Sequence, residues 1–130
     1  YRYDCSLCKA DGKVAVLDMH PSFNPDMIKM LYDGGIRGFV IRCYGAGGIP
    51  EKVRAALGKV IAVGAKAIAV TQCLYGGVDL DIYAVGTDAR KAGISDGGYM
   101  TTEYAVAWMM REVGSHPTDA SARNNGIACI

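Results

Sequence analysis

Three short apolar runs constrain this chain more than anything else in it: KVAVL at residues 13–17, GFVI at 38–41 and AIAV at 67–70. None of them alternates polar with apolar residues, so a strand built from any one has both faces covered. The stretches between them carry apolar residues at helical spacing. Such strands, separated by helices, imply a parallel sheet packed between helices, with right-handed crossovers. The expected fold class is α/β, a small parallel β-sheet flanked by helices in three layers. Ligands of such sheets sit at the carboxyl ends of the strands.

The helices announce themselves through their ends. Asn24-Pro25 opens the first: the asparagine caps, the proline takes the first helical position, and Asp26 suits the positive end. Met27, Ile28 and Leu31 form its apolar face, and Gly34-Gly35 stops it. Pro50 starts a second helix from Glu51 to about Val63, with Val53, Ala56, Leu57, Val60 and Ile61 in register and Gly64 as the stop. After the third strand come the loop YGGVDL, a short segment at 83–85, and a short helix from Thr87 to Ala92, with Thr87 as cap and Asp88 as first-turn anion. The last helix opens at Thr101, places Glu103 in its first turn, and carries Ala105, Val106, Trp108, Met109 and Val113 before Gly114. Residues 1–11 read as a linker remnant, 12–115 as one domain, and 116–130 as a polar tail.

Charge and cysteine usage exclude several classes. With 14 basic and 13 acidic residues scattered along 130, the chain has no electrostatic footprint for nucleic acid or an anionic membrane. No segment approaches the apolar length of a membrane span, and no signal peptide is visible. Five cysteines, an odd number, argue against a disulfide framework and for a reducing, cytoplasmic setting. Cys5 and Cys8 make a lone C-x-x-C in linker-like sequence; with His20 and His116 isolated, no metal site and no cofactor are expected. His20 reads as a loop residue, and Trp108 with Met109 and Met110 as helix core or dimer surface.

Two strand ends are polar. Arg42 and Cys43 end the second strand, Thr71, Gln72 and Cys73 end the third, and both open on one crevice. The glycines of YGAGGIP follow Arg42 at once.

Three segments, in order, carry a family resemblance: IRGFVIRCYGAGGIP, AVTQCLYGGVDLDIYAVG and ARKAGISDGGYMTTEYAVAWMM. Together they make the chain resemble the C-terminal domain of the L-asparaginases, in particular the cytoplasmic (type I) branch, from about Gly12 to Gly114. The resemblance implies a Rossmann- or flavodoxin-like three-layer domain. It also implies a parent enzyme that converts L-asparagine and water to L-aspartate and ammonia. The family's catalytic threonines lie in an N-terminal domain, within T-G-G-T-I and H-G-T-D-T segments that this chain does not contain. No catalytic residue is therefore expected here, and VGTDA at 85–89 is not a substitute. Many relatives carry asparagine at the position of Gly48; here Gly47 and Gly48 have only main-chain N–H groups to offer.

The type I branch includes enzymes activated by a second asparagine, and the arginine of R-S-Y-G and the cysteine of T-Q-C line that effector pocket. The resemblance thus makes Arg42, Thr71, Gln72 and Cys73 effector- or ligand-binding candidates. A guanidinium suits that task because its paired donors match a carboxylate. The alternative is structural: Arg42 pairs with Asp79 or Asp81, and Cys73 is a buried small apolar residue. Expected partners are an amino acid (asparagine or aspartate), the chain's own N-terminal domain and further copies in a homo-oligomer. Two other readings stay open, a domain from the asparaginase-like component of a tRNA-dependent amidotransferase and a stand-alone ligand-binding or assembly module.

Overall fold

The computed structural model describes residues 9–81, 84–115 and 127–128. Cys5, Cys8, His116, Cys129, most of the linker and tail, and residue 83 of the expected short segment lie outside them. Four parallel strands form the sheet: β2 (Val14–Asp18), β3 (Gly38–Cys43), β4 (Lys66–Thr71) and β5 (Ser95–Asp96), side by side in that order. A two-residue antiparallel pairing joins β1 (Lys9–Ala10) to β6 (Ile127–Ala128). The helices are α1 (Asp26–Asp33), α2 (Glu51–Ala62), α3 (Ala84–Lys91) and α4 (Thr102–Ser115).

Alternation along the strands assigns the two faces. Leu17, Phe39, Ile41, Cys43, Ala67 and Ala69 pack with Ile28 of α1, Val53, Leu57 and Val60 of α2, and Ala89 of α3. Val40, Ile68 and Val70 point the other way, onto Ala105, Met109 and Val113 of α4. Both faces of β3 and β4 are covered, which is why those strands carry no polar alternation; β2, at the edge of the sheet, leaves Val16 exposed. The α/β three-layer architecture is the expected one. Strand order runs straight across the sheet without reversing.

The helix signals work as local chemistry dictates. Asn24 Oδ1 accepts from the Asp26 N–H at 3.0 Å, and Pro25 already has helical angles. Gly35 takes φ +106° at the end of α1, where a side chain would be strained. Thr101 Oγ1 caps α4 by accepting from the Tyr104 N–H at 3.2 Å. That helix runs through Gly114 to Ser115, because Val113 is still anchored on the sheet.

One helix departs from the expectation, and one strand was unmarked in the sequence. The third helix begins at Ala84, so Thr87 lies inside it and does not cap it, and Asp88 instead pairs with Lys91 at 3.7 Å. The fourth strand, β5, has no signal in the apolar pattern. It is two residues long and polar, and only its pairing with Ile68 and Ala69 makes it a strand. Gly97 lets it approach: its N–H bonds the Ala69 carbonyl at 2.9 Å, and a Cβ there would stand 2.4 Å from that same oxygen.

Candidate ligand site at the carboxyl edge of the sheet

Parallel pairing brings the polar ends of β2, β3 and β4 onto one edge. Asp18, the last residue of β2, lies opposite Arg42 on β3, and Cys43 lies opposite Thr71 on β4. Arg42 is two residues beyond Val40 and so belongs to the α4 side of the sheet, while Cys43 is buried in the opposite core. The two residues that end β3 therefore do not face one crevice. Burial pushes the Cys43 thiol up to about 12, which removes it as a nucleophile near neutral pH.

Arg42 Nη1 binds Asp18 Oδ1 at 2.6 Å, with the arginine side chain 34% exposed and the aspartate 55%. Neither acid proposed from the sequence is its partner. Asp79 accepts from the Asp81 N–H at 2.9 Å, and Asp81 pairs with Arg90 at 3.2 Å. Arg42 Nε is buried and has no hydrogen-bond partner.

Gln72 and Thr71 serve the backbone. The Gln72 amide donates to the carbonyls of Met19 (2.8 Å) and Arg42 (2.7 Å), so both its N–H groups are committed. Its own N–H bonds the Cys43 carbonyl at 3.1 Å. One side chain thus fastens the exits of three strands. Thr71 Oγ1 donates to the Gly45 carbonyl at 2.7 Å and accepts from the Cys73 N–H at 3.0 Å. Cys73 is exposed, contrary to its reading as a small buried apolar residue.

The glycine loop is also committed inward. The N–H groups of Gly47 and Gly48 both donate to the Tyr44 carbonyl, at 3.0 and 2.8 Å, so neither is offered to a ligand. Gly47 is required by packing, since its φ is +139° and a Cβ would meet Leu80 Cδ2 at 2.7 Å. His20 is exposed and sets its ring edge-on to Phe23 at 5.8 Å.

Sequence reasoning missed Asp18 and Asp96. Asp96 accepts from the N–H groups of Leu80 (3.1 Å) and Gly98 (2.7 Å) and pairs with Arg90 at 3.4 Å. With Gly77, Asp79 and Tyr99 it lines a hollow of about 560 Å³ beside the strand ends. The Asp-Gly-Gly of SDGGY is the turn signal that marks it. A second hollow, about 680 Å³ between α1 and α2, shares no residue with this edge.

Large apolar side chains crowd the same edge. Tyr44 follows β3, Leu74 and Tyr75 follow β4, Tyr99 follows β5, and Tyr104 stands in the first turn of α4; Leu74, Tyr75 and Tyr99 are 87–90% exposed. No helix among the described residues is long and apolar enough to cross a membrane.

The glutaminase/asparaginase C-terminal domain family matches residues 13–124. One component of the glutamyl-tRNA(Gln) amidotransferase of Pyrococcus furiosus is 32% identical over 111 residues, 85% of this chain and 25% of that protein. An L-asparaginase of Thermococcus kodakarensis is 36% identical over 107 residues, 80% of this chain and 32% of the enzyme. A solved structure of the thermostable L-asparaginase from Thermococcus kodakarensis superposes with a TM-score of 0.77 at 31% identity, covering 89% of this chain and 36% of that one. The chain therefore spans between a quarter and just over a third of these relatives.

Proposed function

The chain belongs to the glutaminase/asparaginase C-terminal domain family, and we propose that it is the C-terminal domain of an L-asparaginase that hydrolyses L-asparagine to L-aspartate and ammonia in the cytoplasm. On this reading the domain closes one side of an active site whose threonine nucleophile is supplied by an N-terminal domain, and it buries an interface in a homo-oligomer. The observation that carries the reading is the row of exposed tyrosines at the carboxyl edge of the sheet, on a domain that spans 36% of the solved L-asparaginase it superposes on. Nearly bare apolar side chains gathered on the ligand-bearing edge mark a surface that something covers. The test has two halves. The 130-residue chain by itself releases no ammonia from L-asparagine, since it carries neither T-G-G-T-I nor H-G-T-D-T. A protein joining it to an N-terminal asparaginase domain does release ammonia, and Tyr75→Ser with Tyr99→Ser weakens its assembly. Turnover by the isolated chain refutes the division of labour.

At that edge, Arg42 is proposed to bind the carboxylate of an effector asparagine or aspartate, with the exposed Cys73 as a further contact. Thr71 and Gln72, both assigned as ligand residues from the sequence, hold the strand exits around Arg42 instead. The support is the R-C-Y-G and T-Q-C match together with a guanidinium that is partly open at a strand end. Titration calorimetry with L-asparagine, repeated on Arg42→Ala, tests it.

One observation favours a second parent. The curated relatives include glutamyl-tRNA(Gln) amidotransferase components from several archaea. If the parent is such a component, its ammonia release depends on a companion protein and tRNA, and the whole protein assayed alone turns over asparagine poorly.

A further inference from the structure

We propose that β2 is a dimerisation strand: two copies of the chain pair antiparallel along its outer edge and join their sheets into one. β2 stands at the end of the strand order, so no strand among the described residues pairs with its outer side. The hydrogen bonds on its inner side identify the groups left over. The Lys13 carbonyl accepts from the Gly38 N–H at 3.1 Å, and the Met19 N–H donates to the Arg42 carbonyl at 3.0 Å. Odd-numbered residues thus spend their main chain on β3, and Val14, Val16 and Asp18 turn theirs outward.

The side chains of β2 do not suit an open edge. Natural edges are guarded by lysine, proline, a bulge or extreme shortness. β2 reads VAVLD, pairs with β3 in unbroken register and has only its terminal Asp18 charged. That carboxylate is already on Arg42. Val16, at the centre, is 42% exposed and packs with neither core cluster. Its register partners, Val40 on β3 and Ile68 on β4, are 0% and 1% exposed. An unguarded apolar edge is a template for another strand.

Symmetry selects a second copy as that strand. A two-fold axis through Val16 sets the outward array against itself. Val16 then faces Val16 of the second copy, and on either side of the axis Val14 faces Asp18 of the other chain. Each is a pair that exchanges two N–H···O bonds, so every outward group of β2 is met. The two Val16 side chains share the α4 face of the joined sheet with Val14, about 5.5 Å apart between Cα atoms, and cover each other. Asp18 keeps Arg42, so no bare charge enters the seam. This edge is the flank of the sheet, apart from the tyrosines at its carboxyl end, and the inference does not depend on them.

Sedimentation of the 130-residue chain carrying Tyr75→Ser and Tyr99→Ser tests the flank alone, because the carboxyl-end surface is removed. That protein is dimeric, and raising its concentration slows hydrogen exchange at the Val16 amide by at least about tenfold. Adding Val16→Lys sets like charges opposite each other and gives a monomer with unchanged circular dichroism, and Val16→Glu does the same. Mixing those two variants restores the dimer, since the opposed charges are now unlike, and Val16→Thr stays dimeric. A monomeric parent, a dimer that survives Val16→Lys, or a mixture that stays monomeric overturns the proposal. So does a Val16 amide indifferent to concentration, and one already protected in a monomer shows instead that the chain covers its own edge. The exchange measurement needs no variant at position 16 and decides the matter if a charged one folds poorly. Any of these failures leaves the carboxyl-end surface untouched as a reading.

Discussion

Replacing Gln72 with leucine keeps a side chain of similar bulk and deletes both donors. Two bonds disappear, to Met19 O at 2.8 Å and to Arg42 O at 2.7 Å. The Arg42 carbonyl keeps the Met19 N–H at 3.0 Å, whereas the Met19 carbonyl loses the Gln72 amide and belongs to a residue only 2% exposed. At about 1 kcal/mol net per bond, the loss is about 2 kcal/mol. With a urea m-value of about 2 kcal/mol/M, the unfolding midpoint falls by about 1 M. The melting temperature falls by about 6–8 °C. Gln72→Glu separates hydrogen bonding from packing: its carboxylate turns negative oxygens toward two carbonyl oxygens and destabilises more than leucine does. The assay is urea unfolding followed by circular dichroism, with equal m-values required of all three proteins. A leucine variant within about 0.3 kcal/mol of wild type, or a glutamate variant more stable than the leucine one, refutes the clamp.

Gly97→Ala drives a Cβ to 2.4 Å from the Ala69 carbonyl and parts β5 from β4, so it destabilises by about 3 kcal/mol, read by the same unfolding curves. Met109→Ala empties the centre of the α4 face and lowers stability by about 2–5 kcal/mol, whereas exposed Met30→Ala changes it by less than about 0.5 kcal/mol. Alkylation at pH 8, mapped by peptide mass, modifies Cys73 in the native chain and spares Cys43. With its thiol held up to about 12 by burial, Cys43 is about one part in ten thousand thiolate, some thousandfold less than an ordinary thiol. Since that burial favours the neutral thiol in the folded state, the Cys43 contribution to stability is complete below about pH 9 and is lost as pH rises toward 12. Cys43→Ala makes that alkaline slope shallower than in wild type, and an unchanged slope refutes the assignment.

How far the chain can be read without its structure depends on whether the signal is local. The apolar runs at 38–41 and 67–70 are covered on both faces in the folded chain, and their lack of alternation says so without any tertiary information, whereas the run at 13–17 lies at the sheet edge and leaves Val16 exposed. Helix starts are equally legible, because Asn24 and Thr101 act on N–H groups two and three residues ahead. The early start of α3 is not, since Ala84 to Gly86 carry no cap and no apolar stripe. At the candidate site, Arg42 and the T-Q-C segment stand out by residue type and motif. Their actual partners do not, because an arginine's counter-ion is chosen across the sheet and the nearer-seeming acids, Asp79 and Asp81, are already engaged.

By itself the sequence determined the three-layer α/β plan, the starts of the first, second and last helices, the family and the residues that arrive at the strand exits. All of these follow from periodicity, capping and motif, which act over a few residues. Only the tertiary structure decided that Ser95–Asp96 is a strand, that Gln72 fastens three strand ends, and that Asp18 meets Arg42. Each of those joins residues far apart in the chain through parallel register, and register is set by the packing of both sheet faces at once.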